Sequence, residues 1–352
     1  MLKNIKKSLQ SARKQEHRWK VYVFLGILAY FVIINQVIHI RPDHIFVALV
    51  LFSFVLGRGR ARRFLIDWLP FILFWILYDM MRGVADSVRQ YVHIIEPYRM
   101  EQTLFWPILH GEIPSFLLQA AREFWNPVFQ KFVSVFAANF YTAHFAVPLL
   151  LGWLLWHTSD DRPMFYKFVY TLTILNVMAL TTFILYPAAP PWYVYKYGFV
   201  QPVPESSFWG ISAGNLIDVD RLLGVSFFTT LWDSFNANHF AAIPSLHGAY
   251  PVVVSFFAWK KFRKYLPLLI FYPIATWFSA VYLNHHYVVD LLIGVLYIFV
   301  AYSITKYFLY PKIFARFVEN VPQDVQEEGD SASAERASPE MESIQKLEKE
   351  GD

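Results

Sequence analysis

Two short segments in the second half of the chain carry residues of the types and the spacing to move a phosphoryl group. "AAIPSLHGAYP" (241–251) presents Ser245, His247 and Gly248 where a polar connection runs into an apolar stretch. "SAVYLNHHYVVDLLIG" (279–294) presents His285, His286 and Asp290 where one apolar stretch gives way to the next. His286 and Asp290 stand four apart at the start of a helix, so they share a face and an imidazole–carboxylate hydrogen bond is within reach. Two imidazoles and a carboxylate suffice for phosphoryl transfer without a metal or other cofactor. One imidazole attacks phosphorus, the carboxylate holds its tautomer and stabilises its positive charge, and the second imidazole protonates the leaving oxygen. Around His247, Pro244 ends the preceding chain, Ser245 is placed to cap the helix, and Gly248 leaves room for backbone N–H groups to approach a phosphate oxygen. The competing reading of these side chains is structural hydrogen bonding, and for His285 alone a structural or substrate-positioning role ranks above chemistry. A metal site built from His247, His285, His286 and Asp290 is the poorer reading, because adjacent histidines point apart.

These residues need elements to hold them, and composition says what the elements are. Of 352 residues, 56% are hydrophobic and only 16% charged, which is too apolar for a soluble domain of this length. The absence of cysteine removes disulfides, thiolate metal sites and a cysteine nucleophile. Apolar runs fall at about Val21 to Ile40, His44 to Leu56, Phe64 to Met81, Ala143 to Trp156, Met164 to Tyr186, Leu246 to Trp259, Leu266 to Leu283 and Val288 to Tyr307. The fold class expected is therefore all-α: a polytopic helical membrane protein with about eight transmembrane helices. Several runs fall short of the roughly 20 residues that a hydrocarbon core asks for.

Basic residues orient the spans, since Lys and Arg stay on the cytoplasmic side. The leader 1–20 carries Lys3, Lys6, Lys7, Arg13, Lys14, Arg18 and Lys20, and with eight spans "GRGRARR" (57–63), "HTSDDRP" (157–163) and "KKFRK" (260–264) fall on the same side. Residues 21–310 then form the membrane domain with both termini cytoplasmic. From Glu319 to Asp352 the chain holds 11 acidic and three basic residues with no hydrophobic face, and reads as a disordered acidic cytoplasmic tail. The remainder carries 28 basic against 16 acidic residues, largely in the cytoplasmic clusters, so net charge reports topology and not nucleic-acid binding. Both histidine segments come out on the non-cytoplasmic face. Ionisable residues at membrane depth are expensive, and each is a functional hypothesis.

"PSLHG" resembles the second motif of the type 2 phosphatidic acid phosphatase superfamily, and Ser279, His286 and Asp290 reproduce the spacing of its third. "YDMMRG" (78–83), "YTAHFAVP" (141–148) and "YPAAPPWY" (186–193) further resemble the branch containing the fungal inositol phosphorylceramide synthase. The similarity covers about residues 64 to 310. It implies a six-helix phosphatase-like core with His286 as nucleophile, Asp290 as its orienting carboxylate and His247 as acid and base. The chain departs from the superfamily pattern at Ala280, where Arg is usual, and the first motif's Lys followed by Arg-Pro is not found near the expected "YPAAPPW" segment. A phosphate still needs donors, and Arg82, Lys196 and Arg221 are the cations on the expected face, Arg82 first because it adjoins a helix end. Tyr78 and His144 are each either pocket residues or packing and bridging groups.

The resemblance implies a lipid phosphotransferase that moves an inositol-phosphate type headgroup from a phospholipid donor to a lipid alcohol such as ceramide. Water as acceptor would make it a phosphatase. The outer segments "WNPVF", "SSFWG" and "GVSFFTTLW" could cover the site and exclude water, which favours transfer. A transporter would place its polar groups near the midplane, often in repeated halves, whereas here the histidines cluster at one mouth and no repeat is evident. The expected location is a bacterial cell membrane, with the site on the non-cytoplasmic face. A partner subunit is left open.

Overall fold

A computed structural model of the protein describes residues 21–33, 48, 58–85, 87, 89–158, 162–200 and 212–314. The basic leader, almost all of the second apolar run and the acidic tail lie outside the described residues. The chain divides into two units, Met1–Lys306 and Tyr307–Asp352. Residues 307–314 of the second are described, as π-helix, and everything below concerns the first.

Among the described residues the regular structure is helical: α1 (Val21–Ile33), α2 (Arg58–Met80), α3 (Ile95–Leu109), α4 (Pro114–Ala121), α5 (Pro127–Ala143), α6 (Ala146–Thr158) and α7 (Arg162–Leu185), followed by α8 (Pro191–Tyr197), α9 (Leu216–Leu223), α10 (Phe227–Phe235), α11 (Leu246–Ala258), α12 (Leu266–Tyr282) and α13 (Val288–Ser303). Four helical segments, beginning at Ala61, Arg162, Arg263 and Val288, are long and apolar enough to cross a membrane. A fifth span results if α5 and α6, bent by 48° at a short break, count as one, and α1 and α11 are shorter apolar helices. The stretch between the apolar runs ending at Met81 and beginning at Ala143 is itself helical in large part: it contains α3, α4 and α5, and the run from Ala143 falls in the second limb of the bent pair. α5 escapes a hydropathy reading because Asn139, Tyr141 and Thr142 interrupt it, yet its start is well marked. Asn126 Oδ1 accepts the Val128 N–H at 2.9 Å and Pro127 occupies the first helical position.

Aromatic packing fills the centre of the bundle. Phe64, Trp68, Phe71, Phe74 and Trp75 of α2 meet Leu151 and Leu155 of α6, Phe165, Phe168 and Leu172 of α7, and Tyr250, Val253 and Phe257 of α11. At the end of the bundle near Arg162, the buried Asp67 ties three helices together. Its carboxylate accepts from Trp156 Nε1 at 2.8 Å and Tyr166 Oη at 2.7 Å, and Arg162 Nη2 lies 3.8 Å away. A charge this buried is tolerable because donors surround it.

α11 packs against α6, α7, α12 and α13. Its 13 residues span only about 20 Å at 1.5 Å per residue, short of a membrane's thickness. Irregular backbone precedes it, which is tolerable at depth only where its polar groups are paired inside the protein. Those pairings are present: Ala188 N–H donates to Phe240 O at 2.8 Å, His93 N–H to Pro187 O at 2.8 Å, and Ala189 N–H to His93 O at 2.9 Å. Three connections are thereby stitched side by side at the start of α11.

Two glycines let α11 and α13 touch backbone to backbone. A Cβ at Gly248 would lie 2.6 Å from Leu291 Cα, and one at Gly294 would collide with the Ser245 carbonyl. The Ser245 N–H donates to Asp290 O at 3.1 Å across this contact. Gly248→Ala should therefore force the helices apart, lowering stability by about 1–3 kcal/mol and removing most activity. Gly83→Ala, where a Cβ meets open space, should leave the thermal unfolding midpoint in detergent unchanged, and equal midpoints for both variants would refute the close-packing account.

Candidate active site

The start of α11, the turn from α12 to α13 and the α5–α6 break converge on one cavity of about 300 Å³. Ser245 caps α11 by accepting the Gly248 N–H at 3.1 Å, which presents His247 in the first turn. At the other histidine segment the chain reverses within a few residues. Asn284 adopts φ 66°, a left-handed conformation that Asn tolerates better than most residues. The His285 and His286 N–H groups both donate to Ala280 O, and Asn284 O accepts from Trp192 N at 2.9 Å. His286 follows this turn directly, and α13 begins two residues later.

The result is a hydrogen-bonded line of three side chains. Asp290 Oδ2 lies 3.4 Å from His286 Nδ1 and accepts the Tyr287 N–H at 2.9 Å, so it also caps α13. His286 Nε2 lies 3.1 Å from His247 Nδ1. If the carboxylate accepts from His286 Nδ1, then His286 Nε2 holds the lone pair and His247 Nδ1 carries the proton. His247 Nε2 is left with no partner among the described residues. Burial pushes the His286 imidazole below its ordinary range, favouring the neutral form that a nucleophile requires.

Rings hold this line in place. The His247 ring packs on Tyr141, stacked at 3.9 Å and 8°, and against His144, whose centroid is 3.6 Å away at 40°. Tyr141 also stacks on His285 at 4.7 Å. His144 Nδ1 pairs with Tyr141 O at 2.6 Å, so the break between α5 and α6 fixes both rings. Beyond the histidines the cavity is walled by aromatic and apolar side chains, among them Trp75, Phe145, Phe183, Trp192, Trp232 and Phe235, with a polar edge at Asn236, Asn238 and His239. Among the described residues lining it there is no lysine or arginine.

The structure brings His247, His285, His286 and Tyr78 to the cavity and does not bring the expected cations there. Arg82 donates through Nε to Asp79 at 2.9 Å and through its two Nη atoms to the carbonyls of Ser234 and Asn236, the latter at 2.8 Å. It caps the C-terminal end of α10, where a cation is favoured. Arg221 is 76% exposed and paired with Asp218, and Lys196 is exposed on α8. Gly248 is corrected as well: its N–H is already given to Ser245, and its missing side chain serves the contact with α13. His285 turns Nε2 to Ala213 O at 3.0 Å, a structural bond. Tyr141 and His239 were not singled out by spacing. The stack of Tyr141 on two histidines arises only in three dimensions, while the polar "NANHF" segment that carries His239 was the one available signal.

The chain is similar to known proteins over most of its length. The chain is 29% identical over 303 residues to the phosphoinositol dihydroceramide synthase of Bacteroides thetaiotaomicron, covering 84% of this chain and 96% of that protein. It is 28% identical over 296 residues to the inositol phosphorylceramide synthase catalytic subunit of Saccharomyces cerevisiae, covering 82% and 68%. With the inositol phosphorylceramide synthase of Candida albicans it shares 30% identity over 190 residues, covering 52% and 39%. No solved structure matches the chain. The PAP2 superfamily model matches residues 120–304, more than half of the sequence and all of the histidine site, so the chain belongs to the PAP2 superfamily.

Proposed function

We propose that the protein is a membrane lipid phosphotransferase that moves an inositol-phosphate type headgroup from a phospholipid to a lipid alcohol such as ceramide. The observation that carries this reading is the Asp290–His286–His247 line opening onto an apolar cavity. The names of the relatives from Bacteroides thetaiotaomicron and Saccharomyces cerevisiae support the choice of headgroup and acceptor. In the first half-reaction His286 Nε2 attacks phosphorus and the bond to the diacylglycerol oxygen breaks. That oxygen takes a proton from the His247 imidazolium. In the second, His247 removes the proton from the acceptor hydroxyl as its oxygen attacks the phosphohistidine and releases His286. With no lysine or arginine on the described cavity wall, the imidazolium and backbone N–H groups carry the charge compensation.

Purified protein in lipid should convert phosphatidylinositol and ceramide to diacylglycerol and an inositol phosphorylceramide, identified by mass spectrometry. Release of free inositol phosphate with no dependence on ceramide would make it a phosphatase instead. His286→Ala should reduce turnover to background while folded protein stays in the membrane. His247→Ala should cost about 10²- to 10⁴-fold with the natural donor and much less with a donor whose leaving group needs no proton. Equal losses with both donors would remove His247 from the acid role.

The site is read as facing away from the cytoplasm, because His247 and "KKFRK" lie at opposite ends of α11. In a chain without native cysteine, Arg221→Cys should react with an impermeant thiol reagent from outside and Arg263→Cys only after permeabilisation. The reverse pattern would overturn the sidedness.

A further inference from the structure

We propose that Glu101 is a positioning residue for the transfer chemistry, its carboxylate gripping the first turn of α13 so that His286 and Asp290 keep their aim. The inference rests on the reading of the site just given. Glu101 belongs to α3, which has no other part in the chemistry, and it is fully buried. Its Oε1 accepts the Val288 N–H at 3.0 Å and its Oε2 the Val289 N–H at 2.9 Å. Asp290 Oδ2 accepts the N–H just before these, from Tyr287. Two carboxylates thus take three consecutive backbone N–H groups at the start of α13, groups that a helix cannot satisfy by itself. The helix N-terminus in turn favours negative charge there.

The grip acts next to the reacting line. His286 is two residues from Val288, and Asp290 directly follows Val289, so a shift of the first turn moves both. Without Glu101 two buried N–H groups would be left unpaired or would find water, and the turn would settle elsewhere. Only a carboxylate fits well, since it offers an acceptor to each N–H. A glutamine offers one and turns its NH₂ toward the second donor. The titratable groups facing Glu101 are Asp290 on α13 and Tyr287 at its cap, and Tyr98 on α3 acts in turn on Tyr287. Burial lifts the Glu101 carboxyl to about 7 in spite of its two backbone hydrogen bonds, with the Asp290 charge adding to the rise. Below that pH a protonated Glu101 resembles glutamine, with one good acceptor left.

The test compares full-length wild type, Glu101→Gln and Glu101→Ala, reconstituted with phosphatidylinositol and ceramide, from about pH 5.5 to 8.5. At the alkaline end kcat should fall about 10- to 100-fold in Glu101→Gln and at least as far in Glu101→Ala, with KM within about twofold of wild type. The ratio of wild-type to Glu101→Gln turnover should shrink toward one as pH falls through about 7, because the catalytic histidines titrate alike in both proteins. A ratio independent of pH, an unchanged kcat, or loss of Glu101→Gln from the membrane would each overturn the proposal. A wild type that turns over no lipid would sink the reading of the site itself, a result distinct from a flat ratio.

Discussion

The contact between α11 and α13 governs the site. The histidine and the histidine–aspartate pair arrive on different helices, 39 residues apart in sequence, and they meet because Gly248 and Gly294 let the two backbones come together. Without a hydrophobic drive between helices in lipid, close packing and backbone hydrogen bonds must do what water does for a soluble core. The Ser245–Asp290 backbone bond lies across that seam. It joins the capping residue of one helix to the carboxylate-bearing residue of the other, so helix packing and the orientation of the reacting groups are a single structural condition.

Polar groups elsewhere follow the same economy. Asp67 at one end of the bundle, Asn176 under Tyr250, and Arg82 at the end of α10 each find partners within the protein. Arg82 in particular reaches across about 150 residues of sequence to hold the backbone that leads to Asn236 and Asn238 on the cavity edge. The cation expected at a phosphate thus shapes the wall of the pocket. No lysine or arginine is among the described residues lining the cavity, so in the proposed mechanism more of the substrate's charge rests on the imidazoles.

His247, His286 and Asp290 were legible in the sequence because their spacing is local to two short segments, and helix geometry converts a spacing of four directly into a shared face. The apolar runs of α2, α7, α12 and α13 were legible for a similar reason, since burial in lipid demands long uninterrupted hydropathy. α5 was not, because polar residues break the run, some of them, such as Ser134 and Tyr141, buried inside the bundle. Arg82, Gly248 and Glu101 were not either. What each does depends on a partner far away in the chain, and single-residue chemistry names the capability without naming the partner. The first two were assigned to phosphate on chemistry that was sound, but the fold had already committed them to backbone.

The 3.1 Å separation of His247 Nδ1 and His286 Nε2 leaves no room for a third atom between the rings. In the proposed mechanism His286 Nε2 is the attacking atom, and its lone pair faces the N–H of its own partner. On that reading a phosphate has to part the two rings before it is attacked, giving up one hydrogen bond worth about 1 kcal/mol net. The proposed nucleophile is then masked until a ligand large enough to wedge the pair has settled, and reactivity belongs to the occupied protein.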